Sequence, residues 1–333
     1  MSKINCDDFM NEITVNTFDY PINEVYNYVY YYRDNHDEGW NSGTLENHMS
    51  ENDEESLEKF KILKENNEFN TDDLISYVVE TERIKLLELA FTTDLLTVQD
   101  HEELLKYTIY NGKAKVLKYL INIGIDLSIG HNFATKLSPK SGQIDIIEIL
   151  IENGQDITLD DNFALRYATY INDMNIIKFL VKNGADVTAK DNYCIKCSTF
   201  NKLPDLMRFF KESGAEWDPN LMYYLKTIIY SDIYHNAQNI NICIKYLIDN
   251  GVDINDLSDQ DIQYCFEHQN QELIIFLLEN KIKLSFMDNY IVTNSNLNKI
   301  IKLMSDQNIN QENLMKFLIK SCFELRTINL YAQ

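Results

Sequence analysis

No run of about 18 apolar residues occurs in the sequence, so no membrane-spanning helix is expected. The opening stretch Met1-Ser2-Lys3-Ile4-Asn5-Cys6-Asp7-Asp8 lacks the apolar segment of a secretory leader. Cysteines are few and scattered, at 6, 194, 197, 243, 265 and 322. Together these features predict reduced, buried thiols in a cytoplasmic, non-secreted protein. Cys194-Ile195-Lys196-Cys197 has no second pair to complete four zinc ligands, so packing is expected there and no metal. The histidines at 36, 48, 101, 131, 235 and 268 lack the His-Glu-x-x-His spacing and read as loop or surface residues. No phosphate-binding glycine loop, Gly-x-Ser-x-Gly elbow or Ser/His/Asp grouping is found, so neither a cofactor nor enzyme activity is expected. Proline and glycine are scarce beside abundant Asn, Ile, Lys and Tyr. That bias matches an AT-rich genome and carries no mechanism.

Positive charge is also in short supply. The net charge is −22, of which −16 falls in residues 1–100 and −6 in residues 101–333. An acidic N-terminal third argues against a nucleic-acid duplex or an anionic membrane as partner there. Residues 1–33 hold the aromatic run Tyr26, Tyr28, Tyr30, Tyr31, Tyr32 and read as an N-terminal cap or small helical segment. Residues 34–56, rich in Asn, Asp and Glu, read as an acidic flexible linker or loop. Residues 321–333 are left as a C-terminal tail.

What is present is a repeat. Asn153-Gly154-Gln155-Asp156-Ile157 returns as Asn183-Gly184-Ala185-Asp186-Val187, as Ser213-Gly214-Ala215-Glu216-Trp217 and as Asn250-Gly251-Val252-Asp253-Ile254. Ile123-Gly124-Ile125-Asp126 precedes them. The glycines at 124, 154, 184 and 214 are 30 residues apart, and Gly251 follows after 37. The extra seven fall around Ser231–Ala237 and read as an inserted loop. Before each glycine, apolar residues at i, i+1 and i+4 mark one helical face, as in Ile146, Ile147, Leu150 and Ile176, Ile177, Leu180. Each glycine then stands just past a helix end, where a left-handed residue closes the last turn.

Shorter helical stretches at 103–111, 133–141, 163–171 and 193–201 precede these helices. Asp161-Asn162 and Asp191-Asn192 are expected to cap two of them. Each unit thus reads as helix, turn, helix, glycine stop and connection. One pair cannot bury its own apolar face, so stability must come from stacking. Six good units are expected between about 96 and 285, inside a solenoid spanning 57–320. Decayed units flank them, with Asn66, Asp94 and Asp306 in the glycine slot.

Phe163-Ala164-Leu165-Arg166-Tyr167-Ala168 and the stretch Asn175–Val187 resemble the ankyrin repeat. The resemblance implies an all-α, ankyrin-type helical repeat solenoid. Its units are 30 residues instead of the family's usual 33, with the loss falling in the β-hairpin finger. Short Asn/Ile/Lys/Tyr-rich units of this kind are similar to ankyrin proteins of giant DNA viruses of amoebae. The resemblance further implies a scaffold, expected to be monomeric, that binds a protein through the concave face of its first helices.

Lys106, Lys136, Arg166, Lys196 and Lys226 recur at the family's His position. They read either as a row that receives an acidic partner segment or as structural groups bonded to neighbouring repeats. Two other roles stay open. One is a ubiquitin-ligase substrate adaptor, with residues 1–33 or 313–333 supplying the ligase contact. The other is a drifting paralogue without a selected partner.

Overall fold

The computed structural model describes residues 45–217, 221–230, 239–267, 276–277 and 279–280. Among them are fourteen α-helices and no strand. The calls on residues 1–33, the insertion at Ser231–Ala237, the Asp306 slot and the tail at 321–333 lie outside the described residues. A lone helix, α1 (Asp53–Glu65), comes first. Six antiparallel pairs follow: α2 (Thr71–Glu80) with α3 (Ile84–Thr92), α4 (His101–Tyr110) with α5 (Ala114–Asn122), and α6 (Ile129–Leu137) with α7 (Ile144–Glu152). The remaining pairs are α8 (Leu159–Tyr170) with α9 (Met174–Lys182), α10 (Ala189–Phe200) with α11 (Pro204–Glu212), and α12 (Leu221–Tyr230) with α13 (Ile240–Asp249); α14 (Asp259–Glu267) begins a further one.

The described residues form two compact units, 45–194 and 195–280, divided within α10. In the first, α2, α4, α6 and α8 stack as one layer, and α1, α3, α5, α7 and α9 stack as the other. In the second, α12 packs on α13 and α14, and α11 packs on α13. The apolar triplets read from the sequence are the seam. Val116, Leu117, Leu120, Ile146, Ile147, Leu150, Ile176, Ile177 and Leu180 are all fully buried. Each such side chain contributes about 1.5–3 kcal/mol, and the interface it fills exists only once a neighbouring repeat is present.

The recurring phrase closes each unit through side chains. Asn153, Asn183 and Asn250 donate from their amides to the carbonyls four residues back, those of Ile149, Phe179 and Tyr246, at 2.7–2.8 Å. The glycine that follows takes a left-handed φ, 78° at Gly154 and 97° at Gly184. The acidic residue two places on folds the connection. Asp126, Asp156 and Asp186 each accept the backbone N–H and the hydroxyl of Ser128, Thr158 and Thr188 at 2.6–2.8 Å. These bonds, hydroxyl first, hold the Asp126 and Asp156 carboxyls below their ordinary pKa.

A Cβ added at Gly184 meets nothing within 4 Å, so only backbone strain opposes a side chain there. Gly184→Ala is therefore expected to cost about 1–2 kcal/mol, read as a lower urea midpoint. Gly184→Asn should cost less, because Asn tolerates the left-handed region.

Three expectations are corrected. In the first glycine-slot variant the left-handed residue is Asn67 (φ 57°), one place beyond Asn66, which has φ −78° and is the C-cap; Asp94 does hold its slot. The span 34–56 does not stay a linker to its end. Leu45 is fully buried, and Asp53 begins α1 behind an Asn52 cap. Arg83 reaches back to Asp53 Oδ1 (2.7 Å), the Ser50 carbonyl (2.8 Å) and Tyr77 Oη (2.8 Å), which pins this stretch to α2 and α3. The unit holding α2 and α3, expected to be decayed, is a complete pair.

The third correction is to the caps. Asp160, Asp161 and Asn162 all have left-handed φ, as do Gly130, His131, Asn132 and Lys190, Asp191, Asn192. Each triplet is one left-handed turn, closed by a bond from its last N–H to the carbonyl four residues back (Asn162 N to Thr158 O, 2.9 Å). It stands where the family has its finger. Asn162 does not cap α8. Its Oδ1 accepts the N–H of Asp186, in the connection that closes the same pair, at 2.8 Å.

Candidate interaction surface

The basic ladder sits on the first-helix layer, and its head groups are engaged within the protein. Lys106 is 7% exposed and binds Glu103 (2.8 Å) and Glu102 (2.9 Å), with Phe133 of the next repeat under its ammonium. Burial pulls its pKa down, but the two carboxylates more than restore it, leaving it raised. Lys136 pairs with Asp160 of the next repeat.

Arg166 is completely buried. It donates from Nε to the Asp161 carbonyl (3.1 Å) and from Nη2 to the Asp160 carbonyl (2.9 Å). Its guanidinium lies 5.2 Å from the Phe163 ring and 5.6 Å from that of Tyr193. In the second unit Lys226 pairs with Asp261 at 3.0 Å, and Lys196 is half-buried. Lys106, Lys136, Arg166 and Lys226 thus each have a partner within the protein, on the same helix, in a turn or on a neighbouring repeat.

Asp261 is the other buried charge. It accepts from the Ser258 N–H (2.8 Å), Ser258 Oγ (2.6 Å) and Tyr230 Oη (2.8 Å). Burial pushes its carboxyl up, yet the Ser258, Lys226 and Tyr230 bonds outweigh that and hold it below the ordinary range. Cys194, Cys197, Cys243 and Cys265 are free and buried, and burial raises the Cys243 thiol to about 12. Thiols that stay protonated are poor nucleophiles and metal ligands. Among the described residues no group of His, Cys, Asp and Glu is placed to hold a metal. No described helix is long and apolar enough to cross a membrane. Of the described histidines, His48 and His131 are exposed and His101 is half-buried.

The accessible side chains of the first-helix layer lie at the helix ends, just before the inter-helix turn, in positions the sequence reading did not single out. Glu80, Tyr110, Lys140 and Tyr170 occupy one position in four successive repeats. Lys140 Nζ stands 3.9 Å from the Tyr110 ring centroid. Tyr110 and Tyr170 are half-buried against the core, and Ile171 beside Tyr170 keeps 37% of its surface. Glu80 accepts the Tyr107 hydroxyl at 2.8 Å. Burial, with Glu80 adding to it, pushes the Tyr107 phenol up to about 12.

The row is set by the turn after it. Glu82, Gly112, Gly142, Asn172 and Lys202 all take left-handed φ, again 30 residues apart. The 30-residue spacing from Tyr110 to Tyr170 was the available signal. A mixed aromatic and charged strip of this sort suits recognition of another polypeptide, where aromatics supply contact area and a cation supplies direction.

Two comparisons bear on this architecture. The family model described as ankyrin repeats matches residues 105–191 in three copies, from within α4 to the left-handed turn of α10. An ankyrin repeat protein, R603, of Acanthamoeba polyphaga mimivirus is 30% identical over 96 residues, which is 28% of this chain and 30% of the relative. The chain thus matches less than a third of that relative's length. Ankyrin repeats are in general modules of protein interaction, and the family is typically non-enzymatic. The paired helices, the 30-residue phase and the family match agree: residues 105–191 are ankyrin repeats, and the described residues have an all-α fold of ankyrin-type helical repeats.

Proposed function

We propose that this protein is a protein-interaction scaffold and that the strip of Tyr110, Lys140, Tyr170 and Ile171 is its contact face. The observation that carries the reading is a strip that recurs every 30 residues at the first-helix ends, where Lys140 is exposed and Tyr110, Tyr170 and Ile171 keep accessible surface. The concave-face role suggested by the resemblance is thereby assigned to the strip. A viral source, which the composition and the relative's organism support, would make the partner a protein of the infected cell. The segments a ligase adaptor would use, 1–33 and 313–333, lie outside the described residues, so no observation favours that reading.

Affinity purification from the source or host cell tests the proposal. The wild-type chain should recover a partner that Tyr110→Ala/Lys140→Glu loses by tenfold or more, with both chains equally helical by circular dichroism. Equal recovery by both would move the contact elsewhere. Recovery of nothing by either would favour a drifting paralogue.

A further inference from the structure

We propose that Asn111, Asn153, Asn183 and Asn250 are deamidation sites that the closed repeats hold shut, so that a repeat is marked irreversibly when it opens. They are the four Asn-Gly steps of the whole sequence. Glycine, without a Cβ, hinders attack by its own nitrogen least. In the reaction the Gly nitrogen loses its proton and bonds to Cγ of the asparagine. The Cγ–Nδ2 bond breaks, and the amide nitrogen leaves with that proton as ammonia. Water then opens the succinimide at either carbonyl and leaves aspartate or isoaspartate. Nothing is oxidised or reduced, and water is the one co-reactant.

Burial does not prevent this chemistry, since Asn111, Asn153 and Asn183 are exposed and Asn250 is half-buried. The closure itself does. Nδ2 of each asparagine donates to the carbonyl four residues back, at 2.9 Å for Asn111 and 2.7–2.8 Å for the other three. The Gly N–H that must lose its proton donates to the carbonyl three residues back, at 2.9–3.2 Å. At all four asparagines ψ lies between 1° and 22°. Cβ then stands on the far side of the Cα–C bond from the Gly nitrogen, and Cγ reaches that nitrogen only after ψ rotates. Such a rotation swings the Gly N–H off its carbonyl and undoes the closure.

The product cannot close again in the same way. A carboxylate has no donor for the carbonyl that the amide held. Its charge also stands at a helix C-terminus, where the dipole opposes it. Isoaspartate further adds a carbon to the main chain just ahead of the left-handed glycine. Repeats open locally, against their neighbours only, so each site records the opening of its own unit.

Peptide mapping by mass spectrometry provides the test, on the full-length protein and on a synthetic peptide of Lys182–Asp186 in the same mildly alkaline buffer. Asn183 should convert at least about tenfold more slowly in the protein than in the peptide. Urea added below the unfolding midpoint should speed conversion in the protein relative to the peptide. A protein rate within about twofold of the peptide rate overturns the proposal, and so does a rate ratio that urea leaves unchanged. Asn183→Asp carries the direct product and should lower the urea midpoint of unfolding. Asn122→Asp puts the same charge on an exposed residue at the end of α5 and leaves every Asn-Gly closure in place, so it should lower the midpoint less. A midpoint for Asn183→Asp equal to that of the wild type overturns the irreversible mark. The first two measurements use the wild-type chain and decide the matter even if Asn183→Asp fails to fold.

Discussion

Arg166→Ala is expected to destabilise the 45–194 unit by about 3–5 kcal/mol, from two charge-assisted hydrogen bonds at roughly 1.5–3 kcal/mol each. The size of the effect follows from what the guanidinium holds. Its two bonds end on the carbonyls of Asp160 and Asp161, two consecutive residues with left-handed φ. A left-handed non-glycine residue costs roughly 1–2 kcal/mol, so the turn needs outside support. Alanine removes that support, orphans two carbonyls and opens a cavity between Phe163 and Tyr193.

Arg166→Lys keeps the charge but loses the planar fork and should cost about half as much. Urea denaturation followed by circular dichroism measures both. If Arg166→Ala shifts stability by under 1 kcal/mol, the guanidinium is not what holds the turn. Adding Asp161→Gly, which removes strain, should then recover part of the loss. A double-mutant cycle would show that as a coupling of opposite sign to the single effects.

Asp261→Ala should have a comparable effect on the 195–280 unit, about 3–4 kcal/mol, since Asp261 is 2% exposed and joins four groups. The half-buried Lys226 would lose this counter-charge, and Tyr230 its acceptor. Asp261→Asn keeps the shape and should cost less. The site also sets a pH dependence. The folded carboxyl titrates below its ordinary value, so its contribution is complete above the unfolded pKa of about 3.9. It is lost as pH falls through the lower, folded pKa. Wild-type stability should therefore drop below about pH 4 more steeply than that of Asp261→Asn.

Trp217 reports this locally. It packs edge-on to Tyr224 at 4.9 Å in the same unit. Its fluorescence, with Trp40→Phe to remove the other indole, follows unfolding of this unit. Parallel acid profiles of the two proteins would show that the steep limb belongs to another carboxylate.

Much of the repeat was written in the chain. The 30-residue phase located the helix pairs, because glycine stops, Asn closures and i, i+1, i+4 apolar triplets are short-range features that each unit satisfies alone. The buried state of Cys194 and Cys197 followed from their register with Ala164 and Tyr167, positions already inside a helix pair. The α2–α3 unit was undervalued for the complementary reason. Asp94 closes it in place of a glycine, with a left-handed φ of 55°.

The candidate surface was less legible. Lys106, Lys136 and Arg166 are cationic and periodic, and sequence alone left both fates open for them. Stacking supplies the partners that sequence could not show: Asp160 to Lys136, the Phe133 ring to Lys106 and the Tyr193 ring to Arg166. Asn162 shows the same limit. Its sequence position suits a cap, but the connection after α9, 24 residues on, offers the Asp186 N–H at 2.8 Å.

By itself, then, the sequence determined the unit: its length, its two helices, its turn chemistry and its apolar seam, all set by interactions within about 30 residues. Tertiary structure alone decided which charges are buried and which are exposed, because the burial of a side chain depends on what the neighbouring repeat places against it.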